Sequence, residues 1–192
     1  MYILSFDTSI GTCSVALFKE GLMTQYRIEE ERHQQAERLL PFIESILAEE
    51  HISYKDIDYI ALTIGPGSFT GIRIGLATAT ALSMAISKPI IPVTCFEAMV
   101  VNEIGQVCAV LDAGRNALYT QKFTNGLATT KPTLIDIDTL LKFADGAKTI
   151  GNKSVDEVIL PNANLAGLSA IREIAKNNIN NNKVSPLYIR NF

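Results

Sequence analysis

Gly65-Pro66-Gly67-Ser68-Phe69-Thr70-Gly71-Ile72-Arg73-Ile74-Gly75-Leu76 stands between an apolar, strand-like run (Tyr59 to Ile64) and a helix-like run that reaches Ile86. Three glycines within seven residues give the backbone the freedom to turn sharply from strand into helix. Ser68 or Thr70 can cap that helix, and the bare N–H groups of its first turn make a weak anion site. A phosphate loop is one reading, and a tight turn with no ligand is the other. A Walker loop is excluded, because Gly71 is followed by Ile72 and Arg73 where Lys and Ser or Thr are required. The spacing of Gly65, Gly67 and Gly71 is also one residue too long for Gly-x-Gly-x-x-Gly.

The helix launched by this turn, Ile72 to Ile86, has one charge and no polar face, which predicts burial all round. Its Gly, Ala, Thr and Ser residues allow another helix to approach closely. The neighbour this suggests is Glu29 to His51, where Ala36, Leu39, Leu40, Ile43, Ile46 and Leu47 recur at helical spacing and Pro41 predicts a kink or a later start. Two outcomes follow. The helices bury each other within the fold, or together they leave an apolar patch for a partner.

On either side of this segment lies a repeat. Residues 2–6 form a β-rich run ending at Asp7-Thr8-Ser9-Ile10-Gly11-Thr12, followed by a second strand (Cys13 to Phe18), a turn at Gly21 and a third strand from Leu22 to Ile28. Val107 to Leu111 runs in the same way into Asp112-Ala113-Gly114-Arg115-Asn116, then Ala117 to Phe123, with Gly126 as far from Asp112 as Gly21 is from Asp7. We read a duplicated βββ unit. The first copy continues through a strand at Pro89 to Thr94 and a helix at Phe96 to Ile104. The second continues with a short helix at Asp138 to Ala144, a strand end at Thr149 to Gly151, a helix from Asn164 to Asn177 capped by Asn164, a polar loop to Lys183 and a closing segment from Ser185 to Arg190. The predicted domains are residues 1–105 and a reduced copy at 106–192. A βββαβαβα unit used twice is the layout of the actin, hexokinase and Hsp70 ATPase superfamily (ASKHA, RNase H-like), whose Asp-led turns face a nucleotide held between the halves.

Composition narrows the function. A net charge of −3 with no Lys/Arg cluster argues against this chain alone gripping a nucleic acid. Cys13, Cys95 and Cys108 are odd in number and lack Cys-x-x-Cys spacing, so they read as reduced core thiols of a cytoplasmic protein. Met1 leads into Tyr2-Ile3-Leu4-Ser5-Phe6 without a basic stretch, and the longest apolar run contains Arg73. We expect neither a signal peptide nor a membrane span.

Ile3-Leu4-Ser5-Phe6-Asp7-Thr8-Ser9, Arg32-His33-Gln34-Gln35-Ala36-Glu37-Arg38-Leu39-Leu40-Pro41, the glycine turn through Gly75, and Pro186-Leu187-Tyr188-Ile189-Arg190 together resemble the TsaB family. Members are accessory subunits of the bacterial system that makes N6-threonylcarbamoyladenosine at position 37 of tRNAs reading codons that begin with A. The resemblance covers nearly the whole chain and is strongest over residues 1–115. It implies a non-catalytic scaffold that pairs with the catalytic paralogue TsaD, engages the ATPase TsaE, meets tRNA only through the complex, and forms a homodimer when TsaD is missing. His33, Glu37, Leu40, Arg73, Leu76, Ala77, Thr80 and Ala81 are the implied partner interface.

One departure from the paralogue is informative. Its His-x-x-x-His metal motif falls where this chain has Cys95 and Met99, a pair that fills apolar helix packing routinely. We therefore expect no metal, no cofactor and no catalytic residue. Asp7, Thr8, Ser9, Gly67, Ser68, Thr70 and Asp112 remain as a vestigial anion or nucleotide contact. A helix N-terminus contributes about 0.3–1 kcal/mol to an anion, against the ~8 kcal/mol that micromolar affinity requires. Asp7 and Asp112 can orient a metal or water, or simply bond the turn backbone. His33 and His51 have no nucleophile placed beside them, so a peptidase site cannot be assembled. The competing reading is a stand-alone nucleotide-dependent kinase or hydrolase of the actin-like superfamily.

Overall fold

The computed structural model describes residues 1–177 and 184–189. The predicted loop from residue 178 to Lys183 and the terminal Arg190 lie outside the described residues. The chain runs β1 (Tyr2–Asp7), β2 (Cys13–Lys19), β3 (Leu22–Glu29), α1 (Gln35–Glu49), β4 (Tyr59–Thr63), α2 (Phe69–Ile86), β5 (Ile90–Val93) and α3 (Cys95–Met99). It continues with β6 (Gln106–Gly114), β7 (Ala117–Thr124), β8 (Leu127–Ala128), β9 (Thr133–Asp136), α4 (Leu140–Ala144), β10 (Lys148–Gly151), β11 (Glu157–Val158) and α5 (Ala163–Ala175).

Two sheets carry the duplication. The first has the order β3-β2-β1-β4-β5 and the second β11-β10-β6-β7-β8, with β9 also paired to β7. In each, an antiparallel hairpin whose first strand carries the Asp at or near its end (β1/β2, β6/β7) joins a parallel strand on its other side (β4, β10). This is the duplicated actin-like α/β fold. The second copy is reduced, since its third strand is split into β8 and β9, which pair opposite ends of β7.

The period-2 alternation of β1 separates two layers. Leu4 and Phe6 face a core shared with Leu39, Ile43 and Ile46 of α1 and Ala79 of α2. Ile3 faces the opposite side, where Ala163 and Ala170 of α5 cover the sheet. Ser5 is satisfied there by donating its O–H to the Ala163 carbonyl at 2.7 Å. Thus α5, from the second half of the sequence, packs on the first sheet.

Several boundaries differ from the sequence reading. Helix α1 starts at Gln35 rather than Glu29, because β3 holds on to Glu29, paired with Cys13, and the chain then turns through His33 at φ +71°. Pro41 lies inside α1, on its exposed side, where water can satisfy the carbonyl its ring leaves unpaired. Helix α3 ends at Met99, well short of Ile104, although its start is fixed by a Thr94/Glu97 capping box. The cap of α5 is Asn162, whose Oδ1 accepts from the Leu165 N–H at 3.0 Å, in place of Asn164.

The larger correction concerns α2. Within this chain it buries only Gly71, Ile72, Gly75 and Ala79, whereas Phe69, Thr70, Arg73, Ala77, Thr80, Ala81, Met84 and Ala85 are exposed along one face. By length and composition α2 could cross a membrane. Here it is instead the crossover between the parallel strands β4 and β5, laid against the sheet beside α1. A polar outer face would have kept such a helix comfortable in water, and α2 has none.

Candidate functional site

The first Asp turn and the glycine turn meet at the C-terminal ends of β1 and β4. Parallel pairing aligns Phe6 with Leu62, so the residues that follow, Asp7 and Thr63, sit side by side. Asp7 Oδ1 accepts from the Ser9 hydroxyl at 2.6 Å, from the Ser9 N–H at 3.3 Å and from the Thr63 hydroxyl. The Ser9 hydroxyl oxygen in turn accepts from the Cys95 thiol at 3.1 Å. Asp7, Thr8, Ser9 and Thr63 are all buried. Asp7 Oδ2 is buried with no hydrogen-bond partner among the described residues. Burial pushes the Asp7 carboxyl up to about 6, against the lowering effect of its bonds to Ser9 and Thr63. Burial likewise raises the thiols of Cys95 and Cys13, the latter to about 12, so neither is a ready nucleophile.

What seals this turn is the glycine stretch. The Ser68 N–H donates to the Ser9 carbonyl at 2.6 Å, and the Thr8 hydroxyl donates to the Gly71 carbonyl at 2.7 Å. A Cβ on Gly67 would fall on the Ser9 carbonyl, and one on Gly71 on the Thr8 carbonyl, both far inside contact distance. A Cβ on Gly75 would lie 2.7 Å from the Thr8 hydroxyl. Hence Gly67 and Gly71 are needed for direct backbone-to-backbone packing, and Gly75 leaves room for the Thr8 side chain. The space a phosphate would use over Gly67 and Gly71 holds two carbonyl oxygens, which repel an anion. Of the two candidate caps, Ser68 is the one that caps α2, its hydroxyl accepting from the Gly71 N–H at 3.2 Å. Of the α2 N-terminal donors, Ser68, Gly71 and Ile72 already have protein acceptors. These residues do not fit a nucleotide phosphate.

Asp112 is not brought into this cluster. It lies exposed near the end of β6, before the second turn, where Oδ1 accepts from the Gly114 N–H at 2.9 Å and both oxygens accept from Lys153 at 3.1 Å. The Gly114 bond and then Lys153 hold its carboxyl below the usual range. Thr70 and Gly67 are exposed at the mouth of the glycine turn. Cys95 and Met99 belong to the core of Phe96, Val107, Leu111 and Phe123, with the Cys95 thiol at its border with Ser9. No group of three or more His, Cys, Asp or Glu side chains able to hold a metal occurs among the described residues.

The residues expected at a partner interface form a second, separate region. Arg73, Ala77, Thr80 and Ala81 line the open face of α2, with Leu76 half-buried beside them. Glu37 and Leu40 are exposed on α1, and His33 sits in the turn before it. The sequence reading missed Phe69, Tyr188 and Thr63. Phe69 stacks on Tyr188 with ring centroids 5.6 Å apart, and Tyr188 is brought there by the Leu187 N–H donating to the Ile64 carbonyl at 2.8 Å. Thr63 was findable from the parallel register of β4 on β1. The Phe69–Tyr188 pairing has no local signal in the sequence.

Comparison with known proteins places this geometry. The family model described as TsaD, tRNA N6-adenosine threonylcarbamoyltransferase, matches residues 28–181. The tRNA threonylcarbamoyladenosine biosynthesis protein TsaB of Haemophilus influenzae is 35% identical over 122 residues, 61% of this chain and 51% of that protein. Its namesakes in Escherichia coli and Bacillus subtilis are 34% and 32% identical, over 64% and 66% of this chain and 55% and 58% of theirs. The matched stretch thus spans about half the length of these curated relatives. YeaZ from Pseudomonas aeruginosa has the same fold, with a TM-score of 0.83 over 98% of this chain and 99% of that one at 24% identity. The chain belongs to the TsaD family, and within it groups with the relatives named TsaB.

Proposed function

We propose that the chain is a non-catalytic scaffold subunit, acting with a TsaD-type catalytic paralogue and a TsaE-type ATPase in forming the threonylcarbamoyl group on N6 of adenosine 37 in tRNAs that read codons beginning with A. The relatives named for threonylcarbamoyladenosine biosynthesis support the pathway. The observation that carries the scaffold role is the contrast between the two regions above. The Asp7 turn is closed by carbonyl oxygens, while α2 presents an uncovered face of Ala, Thr and Met with no acidic residue. An apolar helix face of this length is stabilised by covering it with another helix, and its small side chains permit close approach. In this reading tRNA is met only through the complex, which suits a chain of net charge −3, and the setting is cytoplasmic. We place the boundary between the two halves at residues 105/106. Without the paralogue, a second copy of the chain covers the same face.

Ala77→Glu and Ala81→Glu test this by placing a carboxylate on the open face. Each is expected to abolish co-purification with the TsaD-type paralogue while leaving the melting temperature within a few degrees. Unchanged co-purification would overturn the interface. Micromolar ATP binding with Mg²⁺ by calorimetry on the isolated chain would overturn the non-catalytic role and favour the stand-alone enzyme.

A further inference from the structure

We propose that Phe69, Arg73 and Tyr188 form a preorganised anchor at the N-terminal end of the open α2 face, built to take a carboxylate from the partner that covers it. The inference rests on the partner reading above and assigns that partner a chemical requirement.

Arg73 is the one charge on α2, and it is exposed. Its guanidinium lies 3.6 Å from the centroid of the Phe69 ring, and its Nε–H donates to the Tyr188 hydroxyl at 3.4 Å. The stack fixes the planar group, which an exposed arginine ordinarily leaves mobile. Tyr188 is itself fixed. On one side the Leu187 N–H is bonded to Ile64, and on the other Ile189 packs against the core that α3 shares with the second sheet. Arg73 nevertheless has no acidic partner among the described residues, and its two Nη nitrogens have no acceptor there. Arg27, Arg38, Lys88, Lys148 and Lys153, by contrast, are each paired with a carboxylate.

A held but unsatisfied guanidinium has lost its side-chain entropy before any partner arrives, so a partner gains its hydrogen bonds at reduced cost. Charge burial adds a constraint. An apolar helix laid over this face would strand Arg73 away from water, which is strongly unfavourable unless an anion comes with it. The fork geometry of the free Nη pair suits a carboxylate held by two parallel bonds. Partner chemistry at this corner is therefore an Asp or Glu beside a small-residue apolar helix.

The test measures affinity of the purified chain for the TsaD-type paralogue by calorimetry at low and high salt. Arg73→Ala is expected to weaken binding by about tenfold or more and to flatten its salt dependence. Tyr188→Ala should weaken it several-fold through loss of the stack, and Tyr188→Phe should stay within about twofold, since the ring is kept. Arg73→Glu should abolish binding, and a compensating acid-to-Lys change in the paralogue should restore it. Arg73→Ala binding like wild type while Ala81→Glu blocks would overturn the anchor and leave the partner reading standing. An effect of Arg73→Ala on self-association alone would make a second copy the occupant and overturn the proposal. A wild-type chain that does not bind the paralogue would overturn the partner reading and the anchor with it.

Discussion

The two Asp turns begin as the same local motif and end in opposite environments. Asp7 ends β1 and Asp112 lies near the end of β6, each in the first strand of a βββ unit, and each accepts a hydrogen bond from the backbone two residues on. Asp7 lies under the glycine turn, buried, with one oxygen unpartnered among the described residues. Asp112 has no such cover and pairs with Lys153 at the surface. Local sequence made both turns, and the glycine stretch available to only one of them made the difference. It follows that the glycines should matter more than the aspartates they cover.

The largest expected effect is therefore at Gly71. Gly71→Ala drives a Cβ into the Thr8 carbonyl, and backbone on both sides leaves little room to relax. A cost of about 3 kcal/mol is expected, at the upper end for overpacking. The counterpart beside the second turn is Gly114, at φ +76°, where a Cβ would meet none of the described residues within 4 Å. Its alanine variant is strained only by its backbone conformation, costing about 1 kcal/mol. Urea unfolding of the two variants checks the ordering. Equal losses would mean that close packing at the first turn is not what its glycines provide.

Next in size is the charge on Asp7. Its folded carboxyl titrates near 6, above its unfolded value, so the protonated form is the one the fold favours. The sign follows from linkage. Stability from this group is fully present below about pH 4 and is lost as pH rises through 6, to a total of about 3 kcal/mol as an upper figure. Asp7→Asn keeps an oxygen for the Ser9 and Thr63 donors and removes the buried charge. The variant should be more stable than wild type at pH 8, with the gain shrinking toward zero at pH 4. A variant less stable at pH 8 would mean that the ionised carboxylate is worth more to the fold than its desolvation costs.

The duplicated fold was legible because its signals are local: the apolar strands, the Asp-led turns and the glycine offsets recur in order. The strand-to-helix turn and the Ser68 cap were legible for the same reason. What the glycines touch was not, since the carbonyls of Thr8 and Ser9 come from a segment some sixty residues away and backbone atoms leave no mark in composition. Whether the chain itself covers the outer face of α2 was not legible, because periodicity reports how apolar a helix is, not which of its sides the chain covers. Tyr188 joined Phe69 through long-range packing, and neither residue's surroundings in sequence announce the other.

The smallest effect separates the second turn from the first. Asp112 has its carboxyl lowered by the Gly114 N–H and by Lys153, so its contribution runs with the opposite sign to that of Asp7. It is present above the unfolded carboxylate range and is lost as pH falls through the depressed folded value. The site is more than a third exposed and solvent screens it, so Asp112→Asn should cost only a few tenths of a kcal/mol at pH 7. High salt should remove most of the Lys153 share, and Lys153→Ala should show that share alone. Thermal melts at low and high salt distinguish the outcomes. A loss of several degrees that persists in high salt would mean that Asp112 is tied into the fold as tightly as Asp7, and that the two turns differ in exposure without differing in structural weight.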